Sequence, residues 1–173
     1  MHKVILISGG RKSGKSQLAE NIAKKINKIT YVALSEFRPD DKDWQERITK
    51  HRLRRPSHWN TIETDDLIKA LKNEKNALLI DSIGGFVVKN LSMENNKWDK
   101  HKKNLLIHLN NYQNLIIIVA EQVGWGLVSE HKIGNLFADR LGDLLKDISS
   151  ISDENWLAIN GKALKLDDIV INI

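Results

Sequence analysis

The segment Gly9-Gly10-Arg11-Lys12-Ser13-Gly14-Lys15-Ser16 constrains the fold more than any other stretch of the chain. It satisfies the spacing G-x-x-x-x-G-K-[ST], follows the apolar run Val4-Ile5-Leu6-Ile7 and precedes Gln17-Leu18-Ala19-Glu20-Asn21-Ile22-Ala23. That order is strand, glycine loop, helix. Successive backbone N–H groups of such a loop converge with the helix N-terminus on anionic oxygens, Lys15 adds a full charge, and Ser16 offers a hydroxyl to Mg²⁺. A glycine-rich turn without function is the bland alternative, but the flanking strand and helix supply the context that a phosphate loop needs.

A second run, Ile29-Thr30-Tyr31-Val32-Ala33-Leu34, is rich in β-branched residues and reads as the next strand. A β-α-β start with a phosphate loop predicts an α/β protein: a three-layer P-loop NTPase-like fold whose mostly parallel central sheet is covered by helices. Further strands are expected at Trp59–Glu63, Ala77–Ser82, the continuously apolar and therefore central Leu115–Ala120, and Trp156–Asn160, the last taken as a core strand. A terminal hairpin or edge is expected over Ala163–Leu166 and Ile169–Ile171. Helices are expected after the loop to about Lys25, from Thr64-Asp65-Asp66 onward, over Ile83–Leu91, over Asn95–Asn111, and from about His131 to Ile148 with Ile133, Leu136, Phe137, Leu141 and Leu144 as its inner face. With no repeat, linker or low-complexity tract, the 173 residues are expected to form one nucleotide-binding domain, 1–173.

Composition narrows the function classes. The absence of cysteine excludes disulfides and thiolate chemistry. No leader-like segment is visible and the longest apolar run is far too short to span a bilayer, so a cytoplasmic protein without membrane contact is expected. The formal charge of +5 suits polyphosphate as well as nucleic acid and does not choose between them.

Two further features carry chemistry. The segment from Asp41 to Pro56 reads as a helix, acidic at its start and basic at its end, on which Arg47, His51 and Arg54 or Arg55 can share a face. Spacing alone favours a solvated face; the alternative is a neutral, nucleophilic imidazole among guanidinium groups that hold phosphate oxygens. Asp81 closes the run Ala77-Leu78-Leu79-Ile80, where a phosphate-loop protein places an acidic partner for its metal; the bland reading is a helix-capping Asp. His101 and His108 lack carboxylate neighbours at ligand spacing and read as surface residues, and the glycine-bearing loop Glu121–Val128 sits where function collects.

These residues together resemble the bifunctional adenosylcobinamide kinase / adenosylcobinamide-phosphate guanylyltransferase family of cobalamin biosynthesis. The resemblance rests on the phosphate loop, Tyr31-Val32-Ala33-Leu34, Arg47-Ile48 with His51, Arg55-Pro56, Trp59 and Glu63, Leu79-Ile80-Asp81-Ser82, Asn90-Leu91, and Val123-Gly124-Trp125-Gly126-Leu127-Val128. It implies two activities. ATP or GTP with Mg²⁺ would phosphorylate the hydroxyl of adenosylcobinamide; then His51 would attack the α-phosphorus of GTP and pass GMP to adenosylcobinamide phosphate. It implies that Ser35, Glu36, Phe37, Arg52, Leu53, Arg54, Arg55, Glu63 and Asp81 contact the nucleotide alongside residues 9–16, that Ser16 and Asp81 serve the metal, and that the chain is a homo-oligomer such as a trimer. The chain departs from the family pattern in reading Glu121-Gln122 where Asn-Glu is usual. It departs again in Ala138-Asp139-Arg140-Leu141-Gly142-Asp143-Leu144-Leu145-Lys146, where two arginines and an amide pair are replaced. The competing readings are a small-molecule kinase of another pathway and a nucleotide- or RNA-binding module gripping phosphates through Lys50–Arg55; the second lacks any RNA-binding signature, so no nucleic acid partner is expected.

Overall fold

The computed structural model describes residues 2–34, 49, 55–126, 128–169 and 171. Its strands are β1 (Lys3–Gly9), β2 (Ile29–Leu34), β3 (Asn60–Thr64), β4 (Ala77–Asp81), β5 (Leu115–Glu121), β6 (Glu154–Ile159) and β7 (Lys162–Lys165). They form one sheet in the order β3-β2-β4-β5-β1-β6-β7, in which every neighbouring pair is parallel except β6 with β7. The described helices are α1 (Lys15–Ala23), α2 (Leu67–Asn73), α3 (Gly84–Lys89), α4 (Asn95–Asn110) and α5 (Lys132–Ile151).

The side-chain period of two sorts the sheet into two cores. Val4, Leu6, Val32, Leu78, Ile80, Ile116 and Ile118 pack with residues of α2, α3, α4 and α5 on one face. Ile5, Ile7, Tyr31, Leu79, Ile117 and Val119 pack with Ala19 and Ala23 of α1 and with Trp59 on the other. Central strands buried on both faces explain why Leu115–Ala120 is apolar without alternation. The small residues Ala19 and Ala23 let α1 lie close to the sheet, with Leu18 and Ile22 flanking the contact half-buried. α2 starts where its acids are: the Asp66 side chain accepts from the Lys69 N–H at 2.9 Å, capping the helix.

The structure corrects several expectations. Ile133 is 65 % exposed, because the first turn of α5 overhangs the core; the buried stripe runs instead through Arg140, Leu141, Leu144, Leu145 and Ile148. β6 is a half-covered strand rather than a core one, since only Ala158 in it is buried and β7 closes the sheet beside it. Asn160 and Gly161 both take positive φ, 50° and 75°, and this two-residue Asn-Gly turn sets the β6–β7 register. Leu166–Asp168 is a 3-10 turn and Ile169 is exposed, so the edge ends with Lys165. His101 is partly buried and stacked on Phe86 with ring centroids 5.0 Å apart, and His108 is partly buried with its Nδ1 2.9 Å from the Asn104 carbonyl oxygen.

Arg140 is the buried cation of the helical layer, 4 % exposed. Its Nη1 donates to the carbonyls of Asn90 and Leu91 at 3.1 and 3.0 Å, and its Nη2 to the Met93 carbonyl at 2.6 Å and Asn95 Oδ1 at 3.1 Å. Its guanidinium also lies 5.1 Å from the Trp98 ring centroid. The charge thus serves the carbonyl-rich end of α3 and the turn into α4, where a helix dipole favours a cation. Arg140→Met would take the guanidinium from the Leu91 and Met93 carbonyls, while the Asn90 carbonyl keeps the Met93 N–H, and a loss of about 3 kcal/mol is expected. Thermal unfolding should show this as a drop of roughly 6–12 °C, whereas Lys97→Met, at an exposed ion pair, should change little.

Candidate active site

Parallel strands bring their carboxyl ends to one edge, and in this order β5 lies between β1, which carries the glycine loop, and β4, which carries Asp81. Gly9 is in register with Glu121, and Asp81 with Val119. The loop leaves β1 and turns into α1 through Gly14, whose φ of 98° is a conformation that side-chain-bearing residues rarely adopt. The Ser13 N–H donates to the Gly10 carbonyl at 3.3 Å, and the Leu18 N–H to the Gly14 carbonyl at 2.9 Å. Two outside supports hold the loop: the Gln122 N–H donates to the Gly9 carbonyl at 3.0 Å, and the Gly161 N–H to the Ser13 carbonyl at 2.9 Å. Lys15 arches over the loop, with Nζ donating to the Gly10 carbonyl at 3.1 Å.

Asp81 gathers the neighbouring polar groups. Its Oδ1 accepts from the Ser16 hydroxyl at 3.4 Å and its Oδ2 from the Tyr31 hydroxyl at 2.8 Å. The Arg55 guanidinium lies 3.5 Å from the centroid of the same Tyr31 ring. A continuous path therefore runs from Ser16 at the start of α1, through Asp81 and Tyr31, to Arg55. Burial first, and the Asp81 carboxylate second, push the Tyr31 phenol well above its ordinary value, so its hydroxyl remains a donor throughout the neutral range. The hydroxyl and carboxylate oxygens of Ser16 and Asp81 are hard donors of the kind that suit Mg²⁺, which is held by one or two protein groups together with phosphate oxygens and water.

Beside Arg55 opens a cleft of about 530 Å³ lined by Arg55, Pro56, Ser57, Trp59, Thr61 and Glu63, a size that ordinary small-molecule ligands fill. Arg55 Nε and Trp59 Nε1 are buried without a hydrogen-bond partner. Among the described residues neither nitrogen finds an acceptor, although both residues line the cleft.

The structure brings together residues 9–16, Asp81 and Arg55, and puts Glu63 at the adjoining cleft. Ser35, Glu36, Phe37, His51, Arg52, Leu53 and Arg54 lie outside the described residues, as do most of the expected helix over 41–56, Leu127 and Val170. Sequence reasoning gave Tyr31, Trp59 and Gly161 no part in the site. Tyr31 sits inside an apolar β-strand, and only the position of its hydroxyl against Asp81 reveals its place; the Asn160-Gly161 pair is a legible hairpin signal whose docking on the loop is not.

Tyr31→Phe removes one donor to a carboxylate, and a stability loss of about 1.5–3 kcal/mol is expected by denaturant unfolding. A group whose folded pKa is raised contributes in full below its ordinary value of 10.0 and loses that contribution only as pH rises through the higher folded value. Hence the stability difference between wild-type and Tyr31→Phe proteins should stay constant between pH 7 and 9. An alkaline loss confined to the wild type in that window would contradict the protonated hydroxyl.

The comparisons with known proteins agree with this geometry. The family model described as cobinamide kinase / cobinamide phosphate guanyltransferase matches residues 5–166. The bifunctional adenosylcobalamin biosynthesis protein CobU of Escherichia coli (strain K12) is 29% identical over 182 residues, covering 94% of this chain and 99% of that protein. The bifunctional adenosylcobalamin biosynthesis protein CobP of Pseudomonas aeruginosa is 30% identical over 167 residues, covering 93% and 95%. Among solved structures, a Pyrococcus horikoshii OT3 protein superposes with a TM-score of 0.56 at 8% identity, covering 95% of this chain and 85% of that one. An ATPase of the type III secretion system of pathogenic bacteria gives 0.54 at 13% identity, covering 99% and 60%. At such identities the structures speak for the fold alone, which is that of the P-loop NTPases. The matched residues run from β1 to the end of the sheet, and the chain belongs to the cobinamide kinase / cobinamide phosphate guanyltransferase family.

Proposed function

We propose that this protein is an enzyme of adenosylcobalamin biosynthesis that phosphorylates adenosylcobinamide with ATP or GTP and then transfers GMP from GTP to adenosylcobinamide phosphate through a guanylyl-histidine at His51. The observation that carries the reading is the path Ser16–Asp81–Tyr31–Arg55. It joins the glycine loop to the basic segment: Arg55 stands four residues beyond His51 in the chain and is stacked on the residue that holds Asp81. Family membership supports the same pairing of activities.

In the first step, backbone N–H groups of residues 9–16 and the Lys15 ammonium hold the β- and γ-phosphates. Ser16 and Asp81 would hold Mg²⁺, which supplies charge neutralisation to the transferring phosphoryl group. Lys15 reaches its working position by exchanging the Gly10 carbonyl for a phosphate oxygen. In the second step, the His51 imidazole forms a bond to the α-phosphorus of GTP as pyrophosphate leaves. The phosphate oxygen of adenosylcobinamide phosphate then displaces the histidine, so one difficult displacement becomes two easier ones. Arg52, Arg54 and Arg55 neutralise the phosphates, and Ser35, Glu36, Phe37 and Leu53 complete the nucleotide's surroundings. The cleft at Arg55, Trp59 and Glu63 takes the purine end, where a carboxylate and two N–H donors match the mixed donors and acceptors of guanine. A homo-oligomer, trimeric in the simplest form, belongs to the same proposal; Trp125 and Val128, between β5 and α5, and Ile133, in the first turn of α5, are well-exposed apolar surface that such an assembly would cover. No helix among the described residues is long and apolar enough to cross a membrane.

Incubation with α-labelled GTP and Mg²⁺ should leave an acid-labile, base-stable label on the folded protein. His51→Ala should abolish the label while sparing phosphorylation of adenosylcobinamide. A small-molecule kinase of another pathway would take no label at all. Lys15→Ala should lower the phosphorylation rate by about 10²-fold or more, and an unchanged rate would overturn its role.

A further inference from the structure

We infer that Glu121 is the general base of the phosphoryl-transfer step, with its Oε2 accepting the proton of the acceptor hydroxyl. The inference rests on the kinase half of the proposed function and goes beyond it in naming the group that activates the acceptor. Neither the glycine loop nor Mg²⁺ removes a proton, so a hydroxyl acceptor leaves that task to a neighbouring base.

Glu121 is the last residue of β5, the strand between β1 and β4. Its Cα pairs with that of Gly9, the first residue of the phosphate loop, and the next residue's N–H donates to the Gly9 carbonyl. On the other side, Ser82, which directly follows Asp81, donates its hydroxyl to Glu121 Oε1. The carboxylate is therefore tethered by one oxygen between the loop and the strand that carries Asp81. Its other oxygen, Oε2, is buried and has no hydrogen-bond partner among the described residues. A charged acceptor withdrawn from water without a donor is costly, and proteins seldom leave one so except where it is used.

Two comparisons within the molecule sharpen the assignment. Asp81, on the adjacent strand tip, has both oxygens engaged by Ser16 and Tyr31. That disposition suits holding a metal beside the glycine loop, whereas Glu121 Oε2 accepts from no described group. The space around Glu121 Oε2 is kept by Gly84 at the start of α3: a Cβ there would come 2.7 Å from Oε2, so any other residue would push the carboxylate from its place.

The step balances without a further reactant. The acceptor O–H bond breaks toward Glu121 Oε2 as the acceptor oxygen bonds to the γ-phosphorus. The bond from the γ-phosphorus to the β,γ-bridging oxygen breaks, and the nucleoside diphosphate leaves with that electron pair. Glu121 returns its proton to solvent once the site opens.

Glu121→Gln tests the role, because the amide oxygen still accepts from Ser82 and the volume is kept, while the ability to take a proton is lost. With GTP, Mg²⁺ and adenosylcobinamide, kcat for phosphorylation should fall about 10²- to 10⁴-fold. The KM for GTP should stay within about threefold, and the α-label on His51 should form as in the wild type. Gly84→Ala should lower the same kcat by displacing the carboxylate, again without loss of the label. A Glu121→Gln enzyme phosphorylating within about threefold of wild type would overturn the base role alone. A wild-type protein that takes the label but makes no phosphate product would remove the kinase reading and this inference with it.

Discussion

The carboxylate of Asp81 is held on both sides, by the hydroxyl that begins α1 and by a phenol buried in β2. Much of the site depends on that double hold. It fixes the tip of β4 relative to the glycine loop, although the two strands are not neighbours and β5 runs between them. It also gives the Tyr31 ring a fixed orientation, and the ring in turn is the surface on which the Arg55 guanidinium rests. A cation over an aromatic face gains about 0.5–2 kcal/mol depending on how dry the contact is, enough to bias where the segment after residue 54 rejoins the sheet. Structure and chemistry meet in this one group: the oxygen suited to the metal also positions the platform for the basic segment.

The sheet was legible in the sequence because its central strands are apolar on both faces, a pattern that only a covered, parallel arrangement explains. The glycine loop was legible because its spacing encodes a backbone shape. What could not be read is how distant segments meet. Tyr31 is one aromatic residue in a run of strand formers, and nothing in that run says that its hydroxyl reaches Asp81, fifty positions later. Ile133 has the right spacing for the inner face of α5, but spacing cannot tell where a helix extends past the body it packs on; the stripe is real, and its buried part begins about two turns later, with Arg140. The half-covered state of β6 was hidden for a related reason, since burial there is set by how far the helices reach across the sheet.

The two places where the chain departs from its family's pattern lie in different surroundings. On α5, Asp139, Gly142, Asp143 and Lys146 are exposed, whereas Leu145 is part of the core. Leu145 faces inward and adds to packing, while Lys146 beside it falls on the surface. At the tip of β5 the carboxylate stands at 121, on the last paired residue of the strand, where it accepts from Ser82 and lies against Gly84, which has no Cβ to displace it.

The hairpin of β6 and β7 has a bearing on the loop that its position at the sheet's edge conceals. Its Asn160-Gly161 turn reaches the glycine loop through the bond from the Gly161 N–H to the Ser13 carbonyl, and the Gly161 Cα lies 3.4 Å from where a side chain at Gly14 would begin. The anion cradle is thus braced from nearly 150 residues away in the chain. A cleavage beyond Ile151 would leave every nominated phosphate-contacting residue covalently in place and still withdraw this brace. Integrity of the carboxyl-terminal hairpin is, in this sense, a condition on the geometry of the amino-terminal loop.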